Sequence, residues 1–295
     1  MLDLEQSAFC KIVTKDELEC LQIEHPKFFA EITLQGAQLT QFKHNNLGDF
    51  VWLSPDAIYQ QGSSLRGGIP ICWPWFGVLE KNPAIITQVL PSGLGAHGFA
   101  RNQNWRITDL NERVDGVTIA LQLKDNEYTR SIWPFAFELT CRFHLGDDIR
   151  MELVNYNSGD KPFAVSQALH TYFPVKNIER LKIHGANQHR YIDALDQWQS
   201  KQQHGPIEIK KEVDRIYLGV IRYEWEDEHH QFTLTSNSES SVVWNPWIDK
   251  SLTLSQFPAD GYQSMMCIEN GNILDNVISL MPNEHHTLNM VLTKQ

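Results

Sequence analysis

Phe135-Ala136-Phe137-Glu138-Leu139-Thr140-Cys141-Arg142-Phe143-His144-Leu145 alternates apolar and polar side chains. Successive side chains of a strand point to opposite faces, so Phe135, Phe137, Leu139, Cys141, Phe143 and Leu145 share one apolar face. Glu138, Thr140, Arg142 and His144 form the other. Gly146-Asp147-Asp148 turns the chain, and Ile149, Met151 and Leu153 repeat the pattern. The spacing predicts a long antiparallel hairpin with one wet face.

Working outward, residues 116–123 alternate with β-branched positions and predict another strand. Upstream, residues 28–34 alternate, Gly36 interrupts, and residues 37–42 form a candidate hairpin partner. The opening twenty residues fit a strand or a short helix equally well. Asn155 opens a loop to Pro162, and residues 164–173 read as one strand ended by Pro174. Short apolar runs follow at 181–184, 231–235, 241–244, 265–268 and 287–292. The Gln-rich stretch 193–212 reads as a surface excursion. Neither a βαβ rhythm nor a Gly-x-Gly-x-x-Gly is present, which removes a dinucleotide fold. Many short strands joined by loops predict an all-β antiparallel sandwich or barrel, with few short helices, in one domain over 1–295.

The chain has 295 residues, 42% hydrophobic and 21% charged, with a net charge of −11. Broad contact with nucleic acid or an anionic membrane needs a surplus of Lys and Arg, so both partners are excluded. The five cysteines are scattered and never form Cys-x-x-Cys, so neither a disulfide framework nor a zinc site is expected. Met1-Leu2-Asp3-Leu4-Glu5 is acidic and lacks a signal-peptide pattern. No apolar run reaches about 18 residues. A cytoplasmic protein, monomeric or weakly dimeric and without cofactor or metal, is the expectation.

Chemistry concentrates around Arg66-Gly67-Gly68-Ile69-Pro70-Ile71-Cys72-Trp73-Pro74-Trp75-Phe76-Gly77 and His97-Gly98-Phe99-Ala100-Arg101. So many Gly and Pro exclude a regular helix or strand and demand a shaped loop. Arg66 and Arg101 offer planar forks suited to phosphate or carboxylate, or else serve surface ion pairs. His97 can donate to a hydroxyl or be a turn residue. Trp73, Trp75 and Phe76 can stack on a sugar face or belong to the core. His170 follows Ser166 and Ala168 on one strand face, whose small side chains leave room for a pocket; a structural histidine fits equally. Glu269 ends an apolar strand before Asn270-Gly271 and faces solvent or a cleft. In a cleft, desolvation would make it a better base. Asp214 precedes a strand as a solvated turn residue or a ligand contact. The doublets His229-His230 and His285-His286 are poor metal sites, because strand neighbours diverge.

The ordered set Arg66-Gly-Gly-Ile-Pro, His97-Gly-Phe-Ala-Arg101, Ala168-Leu-His170-Thr-Tyr-Phe, Asp214-Arg-Ile-Tyr, Trp244-Asn-Pro-Trp247 and Glu269-Asn resembles the aldose 1-epimerase (mutarotase) family, in its hexose-6-phosphate branch. The similarity runs from about Phe28 to the C-terminus. It implies a galactose-mutarotase-like β-supersandwich with the site on its concave face. It also implies His170 as acid and Glu269 as base, Arg66 and Arg101 on the phosphate of a sugar phosphate, and His97 and Asp214 on hydroxyls. Some members carry Gln where this chain has Ala96. Two rivals fit the bare residues: a non-catalytic carbohydrate-binding sandwich, and a glycoside hydrolase, which would need a second carboxylate across the scissile bond.

Overall fold

The computed structural model describes residues 6–227 and 229–295; Met1–Glu5, read above for a leader, lie outside them. The hairpin forms as its alternation predicts. Glu138–Leu145 pairs antiparallel with Ile149–Tyr156, in a register that sets Phe143 opposite Met151 and Cys141 opposite Leu153. These two strands lie inside a seven-stranded antiparallel sheet, flanked by Gly116–Lys124 and Arg106–Arg113 on one side and by His285–Lys294, Gln231–Ser236 and Arg222–Glu226 on the other. The ambiguous N-terminus is strand. Cys10–Lys15, Leu18–His25, Phe28–Thr33, Gln38–His44 and Gly48–Asp49 form a five-stranded meander.

A second seven-stranded sheet carries the chemistry. Its order is Gln199–Gln202, Arg190–Asp193, Val213–Leu218, Ser240–Asn245, Met265–Asn272, Gln167–Pro174 and Ile71–Cys72, all antiparallel. One face presents Val213, Tyr217, Val243, Met266, Ile268, Leu169 and Phe173 to a large core. There they meet Phe143, Met151, Leu153 and Leu292 of the first sheet. The other face presents Ile216, Val242, Trp244, Cys267, Tyr172 and Ala168, which form a separate buried cluster. Period-two alternation therefore divides this sheet between stability on one side and a site on the other. The helices Ala84–Thr87, Glu127–Ile132 and Trp247–Ser251 are short. Among the described residues no helix is long and apolar enough to cross a membrane.

Several expectations need correction. Residues 164–173 are two strands: Phe163–Val165 pairs with Ile278–Leu280, while Gln167–Pro174 pairs with Met265–Asn272. The chain changes sheets at Ser166, whose N–H donates to Pro74 O at 3.0 Å. Asn155 opens no loop. It stays in its strand, fully buried, because its side chain accepts from Trp73 Nε1 (2.7 Å) and donates to Gln167 Oε1 (2.9 Å). The run 181–184 makes only isolated bridges, Ile183 to Ile207 and His184 to Glu224. The stretch 193–212 is no mere surface excursion: it supplies the edge strand Gln199–Gln202 and buries Ile207 and Ile209 in the core.

Candidate active site

Two cross-strand rows lay out the site. Ile216 faces Val242, Val242 faces Glu269, and Glu269 faces His170. In the next row Asp214 faces Trp244, Trp244 faces Cys267, and Cys267 faces Tyr172. His170 and Glu269, 99 positions apart in sequence, are thus direct neighbours on paired strands. Their heads meet with His170 Nε2 3.3 Å from Glu269 Oε1, and the side chains are 12% and 3% exposed. Glu269 is not at a strand end before a turn: Asn270, Gly271 and Asn272 continue the ladder.

The aromatic loop is sewn onto this strand pair. His170 N–H donates to Pro70 O (3.0 Å), Tyr172 N–H to Gly68 O (2.9 Å) and Trp52 N–H to Tyr172 O (2.9 Å). Above them a cavity of about 290 Å³ is lined by Arg66, His97, His170, Asp214 and Glu269, with Phe76, Trp198 and Trp244 as aromatic walls. That is roughly hexose-sized and mixes apolar walls with a few convergent polar groups, as small-molecule sites do.

His97 is held at φ 68°. Its N–H donates to Gly77 O (2.9 Å), and Gly77 N–H donates back to His97 Nδ1 (3.3 Å). Nδ1 therefore accepts, which puts the proton of the neutral ring on Nε2 and leaves it free to donate. Burial and the Arg101 and Arg66 charges push the His97 pKa down to about 3, so the ring stays neutral. Gly98 is required behind it: φ is +70°, and a Cβ there would lie 1.9 Å from Trp73 O.

Burial lowers the His170 pKa well below its usual value, helped by His97, Arg66 and Arg101. Burial raises that of Glu269 well above the carboxylate range, and the Asp214 charge adds to it. Both directions follow from the cost of charge in a dry site. Each of the two heads, in contact across the strands, is therefore biased towards its neutral form. His170 Nδ1 and Glu269 Oε2 are buried with no hydrogen-bond partner among the described residues. The His170 ring stacks on Tyr172 at 4.9 Å and 10°. Asp214 is raised by burial, which Lys250 opposes.

The cavity thus gathers His170, Glu269, Arg66, His97 and Asp214, all singled out in the sequence. Trp73 is not there. Its ring is 1% exposed and packs against Trp133 (5.0 Å) and Phe137 (4.5 Å) in the core, because its indole N–H is committed to buried Asn155. Arg101 lines no part of the cavity. Its Nη2 donates to Ala96 O at 2.8 Å, so it acts on His97 and His170 through its charge. Ala96 does line the cavity, where it offers no hydrogen bond. Sequence reasoning missed Trp198 and Lys81, which line the cavity. Tyr172 and Cys267, two positions from His170 and Glu269, share their sheet face but are buried outside the cavity lining. Trp198, in the polar stretch 193–212, lies under Lys81 Nζ at 5.0 Å from the ring.

An antiparallel sandwich with an imidazole–carboxyl pair on one sheet face, opening into a hexose-sized cavity, defines a class of sugar-binding β-proteins equipped for proton transfer. The profile of the aldose 1-epimerase family matches residues 19–293, and the chain belongs to that family. A Salmonella typhimurium protein named “Putative glucose-6-phosphate 1-epimerase” is 34% identical over 262 residues, covering 86% of this chain and 83% of that protein. A protein of the same name from Cenchrus ciliaris is 32% identical, covering 86% and 78%. The crystal structure titled “putative mutarotase” from S. typhimurium superposes with a TM-score of 0.89 at 29% identity, over 98% of this chain and 94% of that one. Galactose 1-epimerase from Lactobacillus acidophilus shares the fold (TM-score 0.71, 16% identity, 97% and 98% covered).

Proposed function

We propose that the protein interconverts the α and β anomers of a hexose 6-phosphate, glucose 6-phosphate foremost. The observation that carries this reading is the 3.3 Å contact between His170 and Glu269 inside a cavity that also presents Arg66. Before substrate enters, one proton is shared by the pair. A sugar placing its C1 hydroxyl at Glu269 and its ring oxygen at His170 separates the two heads and stabilises the transfer of that proton to His170. Glu269 then removes the C1 hydroxyl proton as His170 protonates the ring oxygen, and the ring opens to the aldehyde. Rotation about C1–C2 and closure with the roles exchanged delivers the other anomer. His97 Nε2–H and Asp214 hold hydroxyls on either flank.

Arg66 is the arginine that faces the cavity, and among the described residues it forms no ion pair. Arg101 adds charge from beside His97, and Lys81 adds a second cation at the wall. Lys250 is neutralised by Glu212 at 2.9 Å. The buried, unpaired cysteines suit a reducing cytoplasm.

The test follows anomer relaxation of freshly dissolved α-glucose 6-phosphate with and without protein. Acceleration supports the reading, and relaxation at the solvent rate in the presence of bound sugar phosphate would leave a binding sandwich. Arg66→Ala should cut kcat/KM for glucose 6-phosphate by roughly 10-fold or more, since a charge-assisted hydrogen bond contributes about 1.5–3 kcal/mol. The same change should cost plain glucose much less. Equal losses on both sugars would remove Arg66 from phosphate recognition.

A further inference from the structure

Cys267 sits diagonally beside the pair, one row from Glu269 on its own strand and opposite Tyr172 on the next. It does not line the cavity, and the ring-opening chemistry gives it nothing to do. Its Sγ, a ring nitrogen of His170 and a carboxylate oxygen of Glu269 nevertheless lie within 4.8 Å of one another. We infer that His170, Cys267 and Glu269 form a binding site for a thiophilic divalent cation of the zinc class, and that occupancy shuts off the acid–base pair.

The spacing suits the ion. A tetrahedral zinc with nitrogen and oxygen ligands near 2.0–2.2 Å places those atoms about 3.3 Å apart, and its sulfur about 3.6 Å from either. His170 Nε2 and Glu269 Oε1 already stand 3.3 Å apart, and a zinc-sized set needs the three ligand atoms to draw in from within 4.8 Å of one another. All three side chains project from one face of two adjacent strands, which holds their roots in place. His170 Nδ1 and Glu269 Oε2 are buried without a partner among the described residues, and the cavity on the open side admits a fourth ligand. Thiolate with imidazole selects zinc over magnesium or calcium. Binding is ligand exchange with proton release: the thiol proton and the carboxyl proton pass to solvent, and no electrons move. This trio is the one group of its kind among the described residues.

The experiment uses the intact, chelator-treated protein and the chlorides of cobalt and zinc. Cobalt should bind one to one with a thiolate-to-metal charge-transfer band that zinc bleaches. Zinc should stop epimerisation, and chelator should restore it. Cys267→Ala should keep the basal rate, lose the band and require at least about tenfold more zinc for inhibition, since even the loss of an outer-shell partner costs about 10–100-fold in affinity. Equal zinc sensitivity in wild type and Cys267→Ala would overturn the site. If Cys267→Ala does not fold, the wild-type cobalt spectrum decides alone, and absence of the thiolate band overturns it. The inhibition half rests on the epimerase reading. The spectroscopic half does not, so a protein that binds cobalt through thiolate yet leaves anomers untouched would fail the first and keep the second.

Discussion

Glu269 and His170 pull against the stability of the fold because each is buried where its charged form is disfavoured. A carboxyl whose folded pKa is raised is at no disadvantage below its unfolded value. It loses stability as pH rises from there to the folded pKa, because the unfolded chain ionises freely and the folded one does not. Glu269→Gln keeps shape and removes that cost. Its melting temperature should exceed wild type at pH 8, by roughly 1.5–2 °C for each kcal/mol regained in a chain of this size, and the gap should close towards pH 4. Meanwhile anomer exchange should fall by roughly 10²–10⁴-fold. A variant that is neither more stable nor slower would show Glu269 to be an ordinary solvated carboxylate. The His170 direction gives a second expectation. Its second proton adds only below the usual histidine range, so kcat/KM should stay level through pH 6.5 and drop at lower pH. Plain glucose is the substrate to use, since phosphate itself titrates near 6. An acid limb centred at 6.5 would mean that His170 is wet.

At the scale of the element, the strands Met265–Asn272 and Gln167–Pro174 place acid against base, and Gly271 sets how close they come. A Cβ on Gly271 would lie 2.3 Å from Gln167 O and 2.8 Å from the Ala168 Cβ. Both are rigid, so Gly271→Ala must push the two strands apart one row from Glu269 and His170. The expected cost is about 1–3 kcal/mol of stability, the range for overpacking, with a loss of kcat beyond that seen for a surface Gly→Ala. A variant as active and stable as wild type would show that the ladder tolerates the gap. The same element shows what the sequence could carry. Period-two alternation at 135–153 fixed a hairpin, because each of its faces meets one environment. Gly271 reads as a turn and is instead a close approach, and a propensity cannot tell these apart when the deciding neighbour lies on another strand. Trp73 misled for a related reason. Its place in an aromatic loop suggested a sugar platform, but the partner that claims its indole N–H, Asn155, is 82 residues away. The positions that were legible, His170, Glu269, Arg66, His97 and Asp214, occur in short ordered motifs. Trp198 and Lys81 belong to no such motif, and only the fold brings them to the cavity wall.

For the molecule as a whole, the core decides how it comes apart. Leu21, Ile23, Phe28 and Phe42 of the N-terminal meander belong to the same buried cluster as Phe143 and Leu153 of the first sheet and Leu169 and Ile268 of the second. The last strand, His285–Lys294, is not an edge: it lies between Ile149–Tyr156 and Gln231–Ser236, with Leu288, Met290 and Leu292 fully buried. No sheet can therefore release its apolar face without exposing another's, and the first sheet is incomplete until His285–Lys294 has been made. The chain should unfold as one cooperative unit over its 295 residues, with calorimetric and van't Hoff enthalpies equal and near-UV and far-UV transitions coincident. A chain cut after Asn283 should fail to fold, since it bares two central strands and removes three core side chains, each costing about 2–5 kcal/mol, against a net stability of only about 5–15 kcal/mol. Two separate transitions, with the meander melting first, would instead mark residues 10–49 as an independent unit and divide what the buried cluster joins.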